Sequence, residues 1–243
     1  MVSNQFESFG QLGSLLGEFG WNKSRAKGLL IVWSLMIFIS LPMSLLVLGL
    51  PCLILSIYFS YRSFQRLKGT KPVILLYQKG LIDCRKGTPE IVRYEEIKKL
   101  FLSVVITNGV LNYIVILETQ NAGKIKIDEH VANVDRLRAL LEEQLIQLQL
   151  PALIANYQQG NTIEFGQITL TQEGLLAGSR MLPWSEFESA EVKRSYKSVY
   201  LFIYQKGSKK EWFCFSRDDF PNLALFFAFI NSITATQAQA KMP

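Results

Sequence analysis

Between Gly28 and Tyr61 the chain carries no charged side chain. A bilayer's hydrocarbon core asks for only about 20 apolar residues per spanning helix, so a run of this length marks a membrane protein. As one straight helix it would extend about 50 Å, well past the roughly 30 Å core. Split in two, it offers about 17 residues to each helix, near the lower limit for a span. Pro42 and Pro51 interrupt it, and proline removes a backbone donor and disfavours helix in the residue before it. Two arrangements fit: a helical hairpin, or one long tilted or kinked span. A secretory signal fits poorly, because the run starts late and far exceeds an apolar signal region of about 7–15 residues.

The flanks orient the segment. Lys23, Arg25 and Lys27 precede the run, and Arg62, Arg66, Lys68 and Lys71 follow it. Positive residues beside membrane segments stay on the cytoplasmic side, so these seven are the expected topology determinants. They place the chain in the inner, cytoplasmic membrane with its C-terminal part in the cytoplasm. The net charge is +6, and most of the excess sits in these flanks. A nucleic-acid binder would concentrate charge on its folded domain, so no nucleic-acid partner is expected. Cys52, Cys84 and Cys214 form neither a metal spacing nor a disulfide framework, and His130 is the single histidine. No metal and no cofactor are expected.

Beyond residue 71 the sequence reads twice. The first pass is VILLYQKGLIDC, EIVRYEEIKKLFLSVVI, YIVILE, KIKI and the helical NVDRLRALLEEQLIQL. The second is EFGQITLTQEGLLAG, RMLPWSEFESAEV, VYLFIY, EWFCF and the helical PNLALFFAFINSI. Lys79-Gly80-Leu81 aligns with Glu173-Gly174-Leu175, and Tyr94 with Trp184. Equal order at a period near 90 residues points to duplicated modules. Lys124 to Ile127 alternates as a half-exposed strand should. Asn108-Gly109 signals a hairpin turn. Val134, Leu137, Leu141 and Leu145 form one helical stripe, with Asn133 as its expected N-cap.

A bent antiparallel sheet closed by a C-terminal helix resembles the pleckstrin-homology-like (PH-like) plan. Two copies behind a membrane segment resemble the bacterial membrane-protein families of unknown function that carry PH-like domains. The resemblance is sharpest in NTIEFGQITLTQEGLLAGSRMLPWSEFESAEV followed by FPNLALFF. It implies an α+β fold with two tandem PH-like modules, and binding in place of catalysis. The expected divisions are 1–22, an amphipathic or flexible segment; 23–71, the transmembrane region; and 72–148, the first module. A linker over 149–162, the second module over 163–235 and a disordered tail over 236–243 follow.

No catalytic motif appears. The pairs Glu95-Glu96, Glu142-Glu143 and Asp218-Asp219 are sequence neighbours whose side chains diverge on strand or helix. Lys193, Arg194 and Lys197 on one loop and Lys206, Lys209 and Lys210 on the next are expected to lie together at one end of a sheet and are candidate contacts for anionic lipid or an acidic partner. Leu223, Leu225, Phe226, Phe227, Phe229 and Ile230 wrap more than one face of the last helix and form a candidate partner-packing surface. Tyr94 and Trp184 recur at one module position and read as packing landmarks. The functional expectation is a membrane-anchored, non-enzymatic interaction or scaffold protein. Its partners would be membrane lipids and a protein at the membrane. An anionic-lipid sensor and an accessory subunit of a transporter or envelope enzyme are the alternatives.

Overall fold

The computed structural model describes residues 11–44, 49–107, 110–120, 123–195 and 198–239. The chain enters through strand β1 (Leu15–Phe19), then forms helices α1 (Lys23–Ser44) and α2 (Leu50–Lys68). It returns to pair β1 with β2 (Ile74–Tyr77), followed by β3 (Gly80–Asp83) and β4 (Glu90–Arg93), in the antiparallel order β1-β2-β3-β4. A 3-10 turn leads to a second sheet of β5 (Ile97–Thr107), β6 (Val110–Thr119) and β7 (Lys124–Ile127), closed by α3 (Val134–Gln158). The second half has β8 (Ile163–Phe165), β9 (Ile168–Leu170), β10 (Gly174–Ala177) and β11 (Arg180–Pro183) in one sheet. Strands β12 (Phe187–Ser195), β13 (Ser198–Gln205) and β14 (Glu211–Ser216) form another, followed by α4 (Leu223–Gln239). The protein is therefore α+β, and one N-terminal helix, over Lys23–Met43, is long and apolar enough to cross a membrane.

Local chemistry explains the correspondence between the halves. A Cβ on Gly80 would lie 2.5 Å from the Val92 carbonyl oxygen, and one on Gly174 would collide with the Leu182 carbonyl. Only glycine lets the neighbouring strand approach so closely. The Tyr94 hydroxyl donates to the Tyr77 carbonyl at 2.8 Å, and Trp184 Nε1 donates to the Thr171 carbonyl at 2.9 Å. Each acceptor lies three residues before its glycine, so the aromatic pins the same turn in both halves. Asn133 and Asn222 both take φ 54° immediately before a closing helix, a left-handed backbone that asparagine tolerates. The expected side-chain cap at Asn133 does not form, because a capping side chain needs an extended backbone and Asn133 is left-handed.

Three further expectations are corrected. Residues 15–19, within the segment expected to be an amphipathic helix or flexible, form a strand, with Phe19 opposite Ile74. Glycines at helical spacing weaken a helix there, and pairing with β2 satisfies the backbone instead. Residues 1–10 and the Asn108-Gly109 turn lie outside the described residues. The expected linker is largely helical, since α3 continues through Pro151 to Gln158. Leu150, Leu153 and Ile154 pack against the second core, and that burial offsets the helix bond lost at proline. Over residues 236–239, where the disordered tail was expected to begin, the last helix continues to Gln239, and residues 240–243 lie outside the described residues. Of the two arrangements that fit the apolar run, the structure has the paired helices: α1 and α2 lie side by side, with Trp33 and Phe59 stacked at 4.7 Å.

Phe165 pairs with Ile168 across the tight Gly166-Gln167 turn, whereas Phe19 pairs with Ile74 across the whole of α1 and α2. The apolar helices thus occupy the place of a turn inside the first half. Two cores result. Val134, Leu137, Leu141 and Leu145 of α3 belong to the first, and Tyr157 to the second. Asn222 adds a clasp between them: its amide donates to the Leu100 carbonyl at 2.7 Å, and its Oδ1 accepts from the Leu100 amide at 2.8 Å.

Asn222→Gly removes the side-chain bonds without backbone strain and is expected to destabilise the detergent-solubilised protein by about 1–2 kcal/mol. Asn222→Ala adds the left-handed penalty of about 1–2 kcal/mol. Urea unfolding that ranks the two variants equally would discount the backbone contribution.

Candidate functional site

The basic loops of the second half do not form one patch. Lys193 and Arg194 lie at one end of β13 and Lys206, Lys209 and Lys210 at the other, because successive turns of a three-strand meander alternate ends. Over Ser198–Gln205 that separates them by about 25 Å. Lys197 lies outside the described residues. Lys193 Nζ sits 2.7 Å from Glu191 and donates to the Tyr204 hydroxyl at 2.9 Å. These two bonds, Glu191 first, push its pKa above the ordinary range. Lys206 is held by the Ser185 carbonyl at 2.9 Å. The expectation that these loops present their cations together is corrected.

The last helix also turns inward. Leu223, Leu225, Phe226, Phe229 and Ile230 are buried, and Phe227 packs against the same core. Phe226 meets Phe165 edge-on at 5.4 Å, and Phe229 meets Tyr157 at 5.4 Å. Among the described residues this helix therefore packs these apolar side chains into its own core, with Phe227 only partly buried.

Chemistry converges instead at the foot of α1 and α2. Asn22 caps α1, its Oδ1 accepting from the Arg25 amide at 3.1 Å. Its own amide donates to the His130 carbonyl at 2.7 Å, and its Nδ2 to the Glu129 carbonyl at 3.2 Å. Arg25 is ion-paired with Glu129. The Arg66 guanidinium lies 4.9 Å over the Trp21 ring. Arg25, Arg62 and Arg66 share one cleft with His130, so the two basic flanks meet at the same end of the helical pair. Lys23, Lys27 and Lys68 are not in ion pairs among the described residues, and Lys68 covers the Phe64 ring at 4.4 Å.

Beside this foot lies a cavity of ≈ 320 Å³ lined by Arg62, Arg66, Arg85, Lys86, Lys124 and Lys126, together with Trp21, Asp128 and His130. Three cations have carboxylate partners. Arg85 makes a two-pronged contact with Asp83, at 2.9 and 2.6 Å, and donates to the Lys126 carbonyl at 2.7 Å. Burial alone would raise the Asp83 carboxyl, but the Arg85 hydrogen bonds and charge overcome it and hold it below its ordinary value. Lys86 pairs with Glu90 at 3.2 Å and Lys124 with Glu118 at 2.7 Å. Arg62, Arg66 and Lys126 enter no ion pair among the described residues. His130 is held below its ordinary value by burial, then by the charges of Arg66 and Arg25, against the opposing pull of Asp128 and Glu129. Of this set the sequence singles out Arg62 and Arg66 for topology, Lys124 and Lys126 as part of a strand and His130 as the single histidine; nothing in it joins these to one another or to Trp21, Arg85 and Lys86, which come from separate segments with no shared motif.

A family model described as a family of unknown function (DUF6585) matches residues 2–239. The chain belongs to that family, in agreement with the expected membership of an uncharacterised group. No curated protein and no solved structure matches the chain.

The His130 shift sets a pH dependence. Its folded pKa lies below the ordinary 6.5, so the unfolded chain binds the proton more readily. Stability is complete at neutral pH and falls as pH drops below about 6.5. Melting temperatures between about pH 5 and pH 8 should show this fall, and His130→Gln should flatten it. An unchanged slope in the variant would assign the effect to the carboxylates nearby.

Proposed function

We propose that this DUF6585 member is a membrane-anchored, non-enzymatic interaction protein that presents two PH-like modules at the cytoplasmic face of a membrane. One observation carries the reading. Apart from Leu15, Leu148, Met181 and Val192, the large exposed hydrophobic side chains among the described residues lie on α1 and α2. Phe38 is 76% exposed, and Ile31, Leu35, Ile39, Leu41, Ile54, Leu55 and Tyr58 all exceed half. An apolar surface of that extent in water would drive aggregation; in hydrocarbon it is solvated.

The basic residues at the foot support a cytoplasmic soluble part, because both flanks then sit on the side that positive charge favours. The PH-like reading is supported by the plan of each half: a four-stranded and a three-stranded antiparallel sheet closed by a helix. Such modules bind; nothing in their plan supplies a reaction. Anchoring raises their effective concentration for partners on the same membrane. It also orients them. The helices leave from within the first module and are bonded to it through Asn22 and Arg25, so the modules ride on a bracket and not on a flexible tether.

The full chain is expected to stay in the membrane pellet after alkaline carbonate washing. A variant in which residues 21–70 are replaced by a short glycine turn should remain folded and become soluble. Extraction of the full chain by carbonate would sink the anchor. With Cys52 and Cys84 changed to serine, the exposed Cys214 should react with a membrane-impermeant maleimide only after cells are permeabilised. Reaction in intact cells would invert the orientation.

A further inference from the structure

We propose that the cavity at the foot of α1 and α2 holds the phosphate-bearing headgroup of an anionic membrane lipid. The proposal rests on the membrane reading above and adds the ligand. Arg62 is the first charge after the uncharged stretch Leu50–Tyr61 of α2. At the height where that stretch leaves hydrocarbon, lipid phosphates lie. Arg62 and Arg66 are one turn apart on the same helix face, and Lys126 reaches the cavity from β7.

These three have no carboxylate partner among the described residues, whereas the other three cations are neutralised by Asp83, Glu90 and Glu118. Two guanidiniums and an ammonium suit a phosphate, since the planar fork of arginine matches two phosphate oxygens at once. Asp128 lines the same cavity and opposes an anion, so the three unpaired cations set the balance. His130 lines the same cavity, and burial with the charge of Arg66 holds its pKa below the ordinary value.

The space above the cations argues for a lipid over a free anion. A second cavity of ≈ 270 Å³ shares Arg62, Arg66 and His130 with the first and continues between α1 and α2 past Leu29, Trp33 and Phe59. The buried Nε of Arg25, which also lines it, has no hydrogen-bond acceptor among the described residues. Charge below and an apolar cleft above form an amphiphile-shaped site. A free phosphate would use only its lower half.

The test uses the full chain in detergent, loaded with an equal mixture of phosphatidylglycerol and phosphatidylcholine and read by native mass spectrometry. Retention of phosphatidylglycerol over phosphatidylcholine is expected. The triple variant Arg62→Gln, Arg66→Gln, Lys126→Gln should lower that retention at least about tenfold, at an unchanged melting temperature. Should the triple variant fail to fold, Lys126→Gln alone, on an exposed strand position, should still lower it several-fold. The variant Lys193→Gln, Arg194→Gln, Lys209→Gln, Lys210→Gln should retain the lipid like the parent. Equal retention of both lipids, or retention unaffected by the foot variants, would overturn the proposal while carbonate resistance left the anchor standing. Displacement of the lipid by millimolar inorganic phosphate would assign the site to a free anion and overturn the lipid assignment.

Discussion

Asn22 is the joint on which the molecule turns. Its side chain closes the first turn of α1, while its backbone and side chain bond the carbonyls of His130 and Glu129 just ahead of α3. A helix start leaves amides unpaired, and here the residue that satisfies one of them also fastens the helix to the sheet beneath. Ala132 returns a bond to the Gly20 carbonyl at 2.8 Å, so the segment before α1 is laced to the segment before α3 from both sides. The apolar pair, the basic foot and the first core therefore share one frame of reference.

The second half has the same order of sheets and closing helix as the first, without the inserted helices. At the equivalent strand junction it turns on Gly166, whose φ of 62° admits no ordinary side chain without strain. A long insertion is tolerated at such a point because closing a loop grows costlier only slowly with its length. The packing of α1 on α2 shortens the effective loop further, since the pair leaves and returns at one place. The cavity is a by-product of this construction: α2 descends beside β7 and the β3–β4 turn, and cations that topology alone would leave scattered face one space.

Much of the fold was readable where the signal was local. The alternation in Lys124 to Ile127 gave a strand with Ile125 and Ile127 inside, and the stripe through Leu137 and Leu141 gave a buried helix face. Tyr94 and Trp184 stood out because fold landmarks repeat. The first strand was illegible, since Leu12, Leu16 and Phe19 also suit a helix and the partner strand lies beyond the apolar run. The basic loops were grouped by closeness in sequence, although alternation of meander turns argues against it. The cavity could not have been found from sequence: Trp21, Arg66, Lys86 and Lys126 have no common spacing and meet only through tertiary packing.

Under the proposed anchoring, a helical pair spliced between two strands ties biogenesis of the first half to the bilayer. During synthesis β1 emerges before the apolar helices and β2 after them, so β1 cannot close its sheet until the intervening pair has found its place. The second half has no such dependence, for its strands follow one another over short turns. A copy that misses the membrane would carry a finished C-terminal half beside an unfinished N-terminal one, with the edge of β2 open. Open strand edges invite aggregation and recognition by chaperones and proteases. Under the proposed anchoring the insertion doubles as a checkpoint: only chains that reach a membrane would complete their first sheet.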